Sequence, residues 1–334
     1  MAIPNEIYGV TIDHDAELLV TFSDHLERIN MKDLTHVRIG NNLRSANRAR
    51  VDGARRIYVP EYDKGCVTIF ALGGKQYELR SKNNDMKPVG VALSPNNHHI
   101  FVSDFDNKCI HRFSVKWIPE QKFFVRIFNF ESIYDGRFGN LVRPMGLAVD
   151  SKNRVFVAVG ADIQVFNGDT WTSMPQYWDH GSSDNSILNP TDIALGVDSY
   201  TKVSYVYVAD WNKNLIHVYQ EYPIDPNRKE DPRYPNSWGL LKIVGCQGRD
   251  FGELDRPMGV DVDKDLNLYV ADSKNQRIQL FMRNELDVYV LKKENGTWTC
   301  TKGKWTNTNQ TAEITYKPSN KYVVMKTTPY YPIP

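Results

Sequence analysis

Cysteine is scarce in this chain of 334 residues. Cys66, Cys109, Cys246 and Cys300 are the four, widely scattered and without a CxxC spacing. That leaves no support for a zinc site and favours a reducing compartment over a disulfide scaffold. Long apolar runs are missing as well, since no stretch approaches the roughly 18 residues of a membrane span. Residues 1–6 lack the basic segment and apolar run of a signal peptide. The chain is therefore expected in the cytoplasm or on a particle, and its glycosylation patterns at Asn295 and Asn309 are read as chance. Neither sign of charge is in excess: 41 Lys and Arg face 40 Asp and Glu, a formal net charge of +1. A general nucleic-acid sink or an acidic-membrane binder is far more basic than this. Catalytic signatures are absent too, with no HExxH, GxSxG, P-loop or GxGxxG stretch. The histidines (His14, His25, His36, His98, His99, His111, His180, His217) show no metal-ligand spacing. Composition and motifs together predict no enzyme, no cofactor and no metal.

What is present is repetition. Residues 256–281 read as a strand through Val260 and Val262, a polar turn, a strand 268–271, a second turn and a strand 277–281. Period-two alternation marks the strands, and Asp, Asn, Lys and Gly mark the turns. A three-stranded meander of this size cannot bury both faces by itself. Copies of it begin at Lys87, Arg143 and Asn189, and two weaker ones lie at residues 8–21 and 57–70, making six units.

The pattern Pro-x-Gly-Val-x-Val-Asp, then Tyr-Val-Ala-Asp, then Asn-x-Arg-Ile-Gln-x-Phe resembles an NHL repeat, and the resemblance covers roughly residues 5–290. It implies about six four-stranded blades around a central channel. Evenly spaced short strands at a fixed repeat point independently to radial repetition. The expected fold is all-β: a six-bladed NHL-like β-propeller over residues 1–291, with a short β-rich C-terminal extension over 292–334 that packs on the propeller or on a partner. Gly259 is expected where neighbouring blades crowd the axis, and Pro257 where an innermost strand starts.

Several stretches depart from the repeat. Residues 43–56 carry Arg44, Arg48, Arg50, Arg55 and Arg56, read as a solvated loop and strand end. The aromatic-rich stretch 117–130 is expected as an outer strand of the third blade. Residues 167–189 are longer than a propeller turn requires. The segment 221–237, with Pro223, Pro226, Pro232 and Pro235, reads as a stiff protruding loop. Asp287 to Leu291 closes the last blade, and three further strand-like runs follow it.

Two groups of residues bear on function. Asp13, Asp150, Asp261 and Asp263 end innermost strands; a cation-binding ring is conceivable there, but capping of the following turn is the stronger reading. The turns between second and third strands carry Tyr62, Lys64, Phe105, Lys108, Trp211, Lys213 and Lys274. With the lead-in residues Lys87, Arg143 and Arg256 they are expected on one face. Rings beside cations suit either a protein hot spot or stacked, single-stranded RNA. The first choice is a non-catalytic scaffold propeller, a structural subunit of a larger protein assembly such as a virion or other multi-subunit particle; no small-molecule substrate is inferred. RNA binding on the aromatic-basic face is the alternative. The resemblance also brings in an enzyme class, the peptidyl-amidoglycolate lyases, whose histidine motifs find no counterpart at these positions.

Overall fold

The computed structural model describes residues 6–13, 17–71, 74–122, 125–221, 236–283 and 287–304, with two short strands beyond; for 118–131 and 236 it describes the backbone alone. Six blades follow one another along the chain, antiparallel throughout except for one parallel pair in the fifth. Blade 1 is β1 to β4 (Ile7–Ile12, Glu17–Phe22, Leu26–Asn30, His36–Ile39), and blade 2 is β5 to β8 (Arg50–Val51, Ile57–Glu61, Cys66–Phe70, Gln76–Leu79). Blade 3 is β9 to β12 (Pro88–Leu93, His99–Asp104, Cys109–Lys122, Val125–Phe138), and blade 4 is β13 to β15 (Pro144–Val149, Arg154–Val159, Asp162–Asn167). Blade 5 holds β16 (Gln176–Asp179) and β17 to β20 (Pro190–Val197, Ser204–Asp210, Leu215–Glu221, Asn236–Val244). Blade 6 is β21 to β25 (Pro257–Val262, Leu268–Asp272, Arg277–Phe281, Asp287–Glu294, Thr297–Lys304). A separate pair, β26 and β27 (Glu313–Thr315, Val324–Lys326), is antiparallel.

The second strand of each blade shows why the unit needs copies. Val206 and Val208 pack toward blade 4, while Tyr207 and Ala209, on the other side of β18, pack toward blade 6. Side chains alternate across a strand, so a strand clamped between two sheets is apolar on both sides and loses its alternation. Six hydrophobic clusters result, one in each gap between adjacent blades. The core is a ring of interfaces rather than a single centre.

The innermost strands crowd the axis. A Cβ at Gly259 would stand 2.8 Å from the Gly9 Cα of the first blade, and one at Gly146 would stand 2.6 Å from the Asp192 Cα. The ring closes where blade 6 meets blade 1. Ile12 N donates to Asp261 Oδ2 at 3.0 Å, and Trp298 Nε1 on β25 donates to Glu27 Oε2 on β3 at 2.7 Å. Trp298 is 2% exposed, so the fifth strand of blade 6 belongs to the closure.

Four stretches differ from their sequence reading. The ladder of the last blade runs to Lys304, past the boundary expected at Leu291, because β25 pairs along all of β24. The stretch 117–130 forms no single outer strand; it is shared between two paired antiparallel strands, β11 and β12, of 14 residues each. The surplus in 167–189 becomes β16, which adds to β20 in parallel register. In 43–56, Arg48 is 1% exposed and Arg56 Nε pairs with Asp52 Oδ2 at 2.5 Å, so this is no solvated loop. Most of the proline-rich loop, residues 222–235, lies outside the described residues.

Candidate functional site

The turns between second and third strands are built alike. A carboxylate ends the second strand (Glu61, Asp104, Asp210, Asp272), and Asp104 and Asp210 accept N–H groups of their own turns: Asn107 N at 3.0 Å, Lys213 N at 3.1 Å. The fifth turn residue is left-handed in each, with φ 71° at Gly65, 54° at Lys108, 58° at Asn214 and 52° at Gln276. These constraints fix where the second turn residue points.

The rings and the lead-in cations do come together. Lys87 Nζ lies 5.0 Å from the centroid of Tyr62, the Arg143 guanidinium 5.7 Å from Phe105, and the Arg256 guanidinium 4.5 Å from Trp211. In every case the ring belongs to one blade and the cation to the next. Arg143 and Arg256 reach back because their own backbones are left-handed, φ 50° and 56°. Tyr62 also donates to Asp106 Oδ2 at 3.0 Å. The lysines are less uniform. Lys64 is held within blade 2, 3.0 Å from both Glu61 and Glu78, which raises its pKa against the opposing effect of burial. Lys213 Nζ donates to the Asp184 carbonyl, and Lys274 pairs with Asp255 at 3.1 Å. Lys108 is exposed.

The opposite mouth opens on a cavity of about 480 Å³ whose wall includes Arg50, Ala92, Leu93, Val149, Ile193 and Asp261. Sequence reasoning missed its charged floor because it read the arginines as loop. Arg50 Nη2 reaches across the axis to Asp192 Oδ1 at 2.9 Å. Asp192 accepts Val260 N on its other oxygen at 3.1 Å. Asp261 Oδ1 accepts Val262 N at 2.9 Å, and burial pushes its carboxyl up to about 6 despite Arg50. Arg48 is deeper still; burial lowers its guanidinium to about 10. The one available signal was repeat alignment: Arg48 and Asp192 stand where Gly9, Gly90, Gly146 and Gly259 stand in the other four blades.

The strand-end aspartates divide. Asp13, Asp150 and Asp263 accept turn N–H groups, from Glu17 at 3.0 Å, Arg154 at 2.8 Å and Asn267 at 2.9 Å, as capping requires. Asp261 does not cap a turn; it faces the axis and joins blade 6 to blade 1.

Asp104, Cys109 and His111 form a buried group whose ligand atoms lie within 4.8 Å of one another. His111 uses both ring nitrogens inside the chain, Nε2 with Asp104 at 2.8 Å and Nδ1 with Tyr134 at 2.9 Å. Burial raises the Cys109 thiol to about 11. The same link recurs as Asp210 with His217 at 3.3 Å and Asp272 with Gln279 at 3.1 Å. It is a latch between strands two and three, repeated with different partners.

Comparison with known proteins agrees with this architecture. The NHL repeat description matches residues 86–113 and 254–281, the strongest copies, and the chain is an NHL-repeat β-propeller. No curated protein sequence matches it. Among solved structures it is similar to virginiamycin B lyase from Staphylococcus aureus, with a TM-score of 0.51 at 12% identity over 90% of this chain and 85% of that one. It is also similar to a streptogramin B lyase, TM-score 0.53 at 13% identity over 82% and 93% of the two chains. A protein of unknown function from Bacteroides thetaiotaomicron gives 0.54 at 13% over 82% and 68%. At such identities the likeness is one of fold.

Proposed function

We propose that this propeller is a non-catalytic interaction module, a structural subunit of a larger protein assembly such as a virion or other multi-subunit particle. The observation that carries the reading is the β11–β12 hairpin. Its ladder runs from Ile110–Phe138 to Lys122–Val125, whereas β10 accompanies β11 only as far as Ser114. Val115 and Trp117 still pack against blade 2; beyond Trp117 the remainder is a two-stranded arm about 17 Å long at about 3.3 Å per residue. A lone two-stranded ribbon is marginal in water, and its unpaired edges are templates for another chain. A protein partner laid along the arm satisfies both. In the Asp104–His111 latch both ring nitrogens are engaged inside the chain, which supports a non-catalytic role.

Removing residues 118–129 and closing the arm with Asn-Gly, which keeps Trp117 against Arg56 and Tyr77, should abolish incorporation into the assembly and leave the melting temperature of the propeller nearly unchanged. Full incorporation of the shortened protein would refute the reading. Stoichiometric zinc together with cleavage of a hydroxyglycine-extended peptide would replace it with a lyase.

Single-stranded RNA binding is the second reading, favoured by the three ring–cation pairs spaced around one face. On that reading Trp211→Ala costs about 1–3 kcal/mol of affinity, and Lys213→Ala flattens the salt dependence by about one counterion. Binding no tighter than about 100 μM at physiological salt, as for non-specific contacts, removes this alternative.

A further inference from the structure

We infer that Asp104, Cys109 and His111 form a zinc site at the root of the β11–β12 arm, where the ion staples β10 to β11 and fixes the turn that carries Phe105. The site lies between the second and third strands of blade 3 rather than at the axis, and it does not depend on what the arm binds.

Strand pairing brings the three donors together. Cys109 and His111 are two residues apart on β11 and so share a face, and Asp104 is the cross-strand partner of Cys109. Both neighbours converge on one ring nitrogen: His111 Nε2 lies 3.7 Å from Cys109 Sγ and 2.8 Å from Asp104 Oδ2. Zinc bonds of about 2.3 Å to sulfur and about 2.1 Å to nitrogen, at a tetrahedral angle, set those two atoms about 3.6 Å apart. The sulfur and nitrogen already stand at that separation. The shorter Asp104 contact is the hydrogen bond that the ion replaces.

The surroundings fit a metal. A ligating imidazole is held through its other nitrogen, and a ligating carboxylate by hydrogen bonds of its own. His111 Nδ1 meets the Tyr134 hydroxyl of β12 at 2.9 Å, and a hydroxyl donates or accepts there, so it serves the ring with or without the ion. Asp104 accepts Asn107 N on Oδ1 at 3.0 Å and Asn107 Nδ2 on Oδ2 at 2.8 Å. Charge selects a divalent ion. In blade 2 Lys64 stands 3.0 Å from Glu61, and in blade 6 Arg277 stands 2.6 Å from Asp272. In blade 3 Asn107 takes the place of Lys64, and Cys109 that of Arg277. A carboxylate, a thiolate and a neutral imidazole around a zinc ion sum to zero charge, which suits members that are at most 3% exposed. Outside them, exposed Arg137 and Asp85 flank Cys109 with opposite charges and leave that sum unchanged. On binding, the thiol proton leaves to solvent and the imidazole proton passes from Nε2 to Nδ1. Blade 5 repeats Asp210 and His217, 3.3 Å apart, but Leu215 stands where the sulfur would be.

The test is zinc titration of the full chain, dialysed against a chelator and carrying Cys300→Ser to remove the exposed thiol. One equivalent of zinc is expected to bind with a micromolar or tighter dissociation constant and to raise the melting temperature. Magnesium and calcium, which take oxygen ligands, should do neither. Cobalt(II) in the same site should give a thiolate-to-metal charge-transfer band. Tyr134→Phe, which removes only the outer partner, should weaken zinc about tenfold to a hundredfold. Cys109→Ala keeps the Asp104–His111 bond, so it should still fold, yet it should weaken zinc further and lose the cobalt band. His111→Gln, which copies Gln279 of blade 6, should melt close to the parent without zinc and gain nothing from it. The proposal fails if no zinc saturates at micromolar concentration, if Cys109→Ala binds zinc as tightly as the parent, or if the cobalt band survives in Cys109→Ala.

Discussion

Arg50 on β5 and Asp192 on β17 meet across the propeller axis, Nη2 to Oδ1 at 2.9 Å, from blades that stand opposite one another in the ring. Asp192 is buried completely, and its side chain also accepts the Val260 N–H of the next blade. One carboxylate thus ties together blades 2, 5 and 6. Removing it should cost far more than removing the pair. Asp192→Ala strands Arg50 and is expected to destabilise by about 3–5 kcal/mol, whereas Asp192→Ala with Arg50→Met should recover much of that loss. Denaturant midpoints of the single and double variants check this, and additive losses would contradict it.

Gly259→Val tests the closeness of the blades. The new Cβ meets backbone, the Gly9 Cα at 2.8 Å and the Val10 N at 3.1 Å, and backbone cannot rotate away as a side chain can. A loss at the upper end of the usual overpacking range, about 3 kcal/mol, is expected. A variant melting with the parent would show that blades 6 and 1 stand further apart.

Ring closure should depend on β25. Trp298 is buried among residues of blades 6 and 1, so Trp298→Ala is expected to cost about 3–5 kcal/mol. A chain ending at Asn295 should melt well below one ending at Lys304. Equal melting of the two would place the closure elsewhere.

Two carboxyls give opposite pH dependences. Burial raises Glu27, but hydrogen bonds from His25, Lys293 and Trp298 outweigh it and hold the group at about 2, against 4.5 normally. Its folded value is depressed, so its contribution is complete above 4.5 and is lost as pH falls toward 2. Asp261 is raised by burial from 3.8 to about 6, so its contribution is present below 3.8 and is lost as pH rises to 6. Relative to the parent, Asp261→Asn should therefore gain about 2–3 kcal/mol between pH 4 and pH 7. Glu27→Gln should be most destabilising at neutral pH and least so near pH 2. Melting curves across that range decide both.

The Arg256–Trp211 contact should be worth about 0.5–1 kcal/mol, as exposed cation–π pairs are. Arg256→Ala is expected to lower stability by that amount and to free the Trp211 ring, read as a red shift in its fluorescence. An unchanged spectrum would mean that the ring is not covered.

The repeat, the number of blades and the crowding at Gly259 were all legible in the sequence. Each follows from local rules: period-two strands, turn chemistry at a fixed spacing, and glycine where backbones touch. What stayed hidden depended on non-local partners. Arg48 and Arg50 look like a basic loop until the ring closes and brings Asp192, some 140 residues away, to within 2.9 Å. Trp298 looks like part of a separate tail until blade 1 supplies Glu27 as its acceptor. The hairpin β11–β12 is disguised because β10 accompanies β11 only as far as Ser114, so beyond it the two strands ladder with each other alone. Local pattern determined that this chain forms blades. Closure of the ring decided which charges became buried, because burial and pairing are properties of the axis and not of any one repeat.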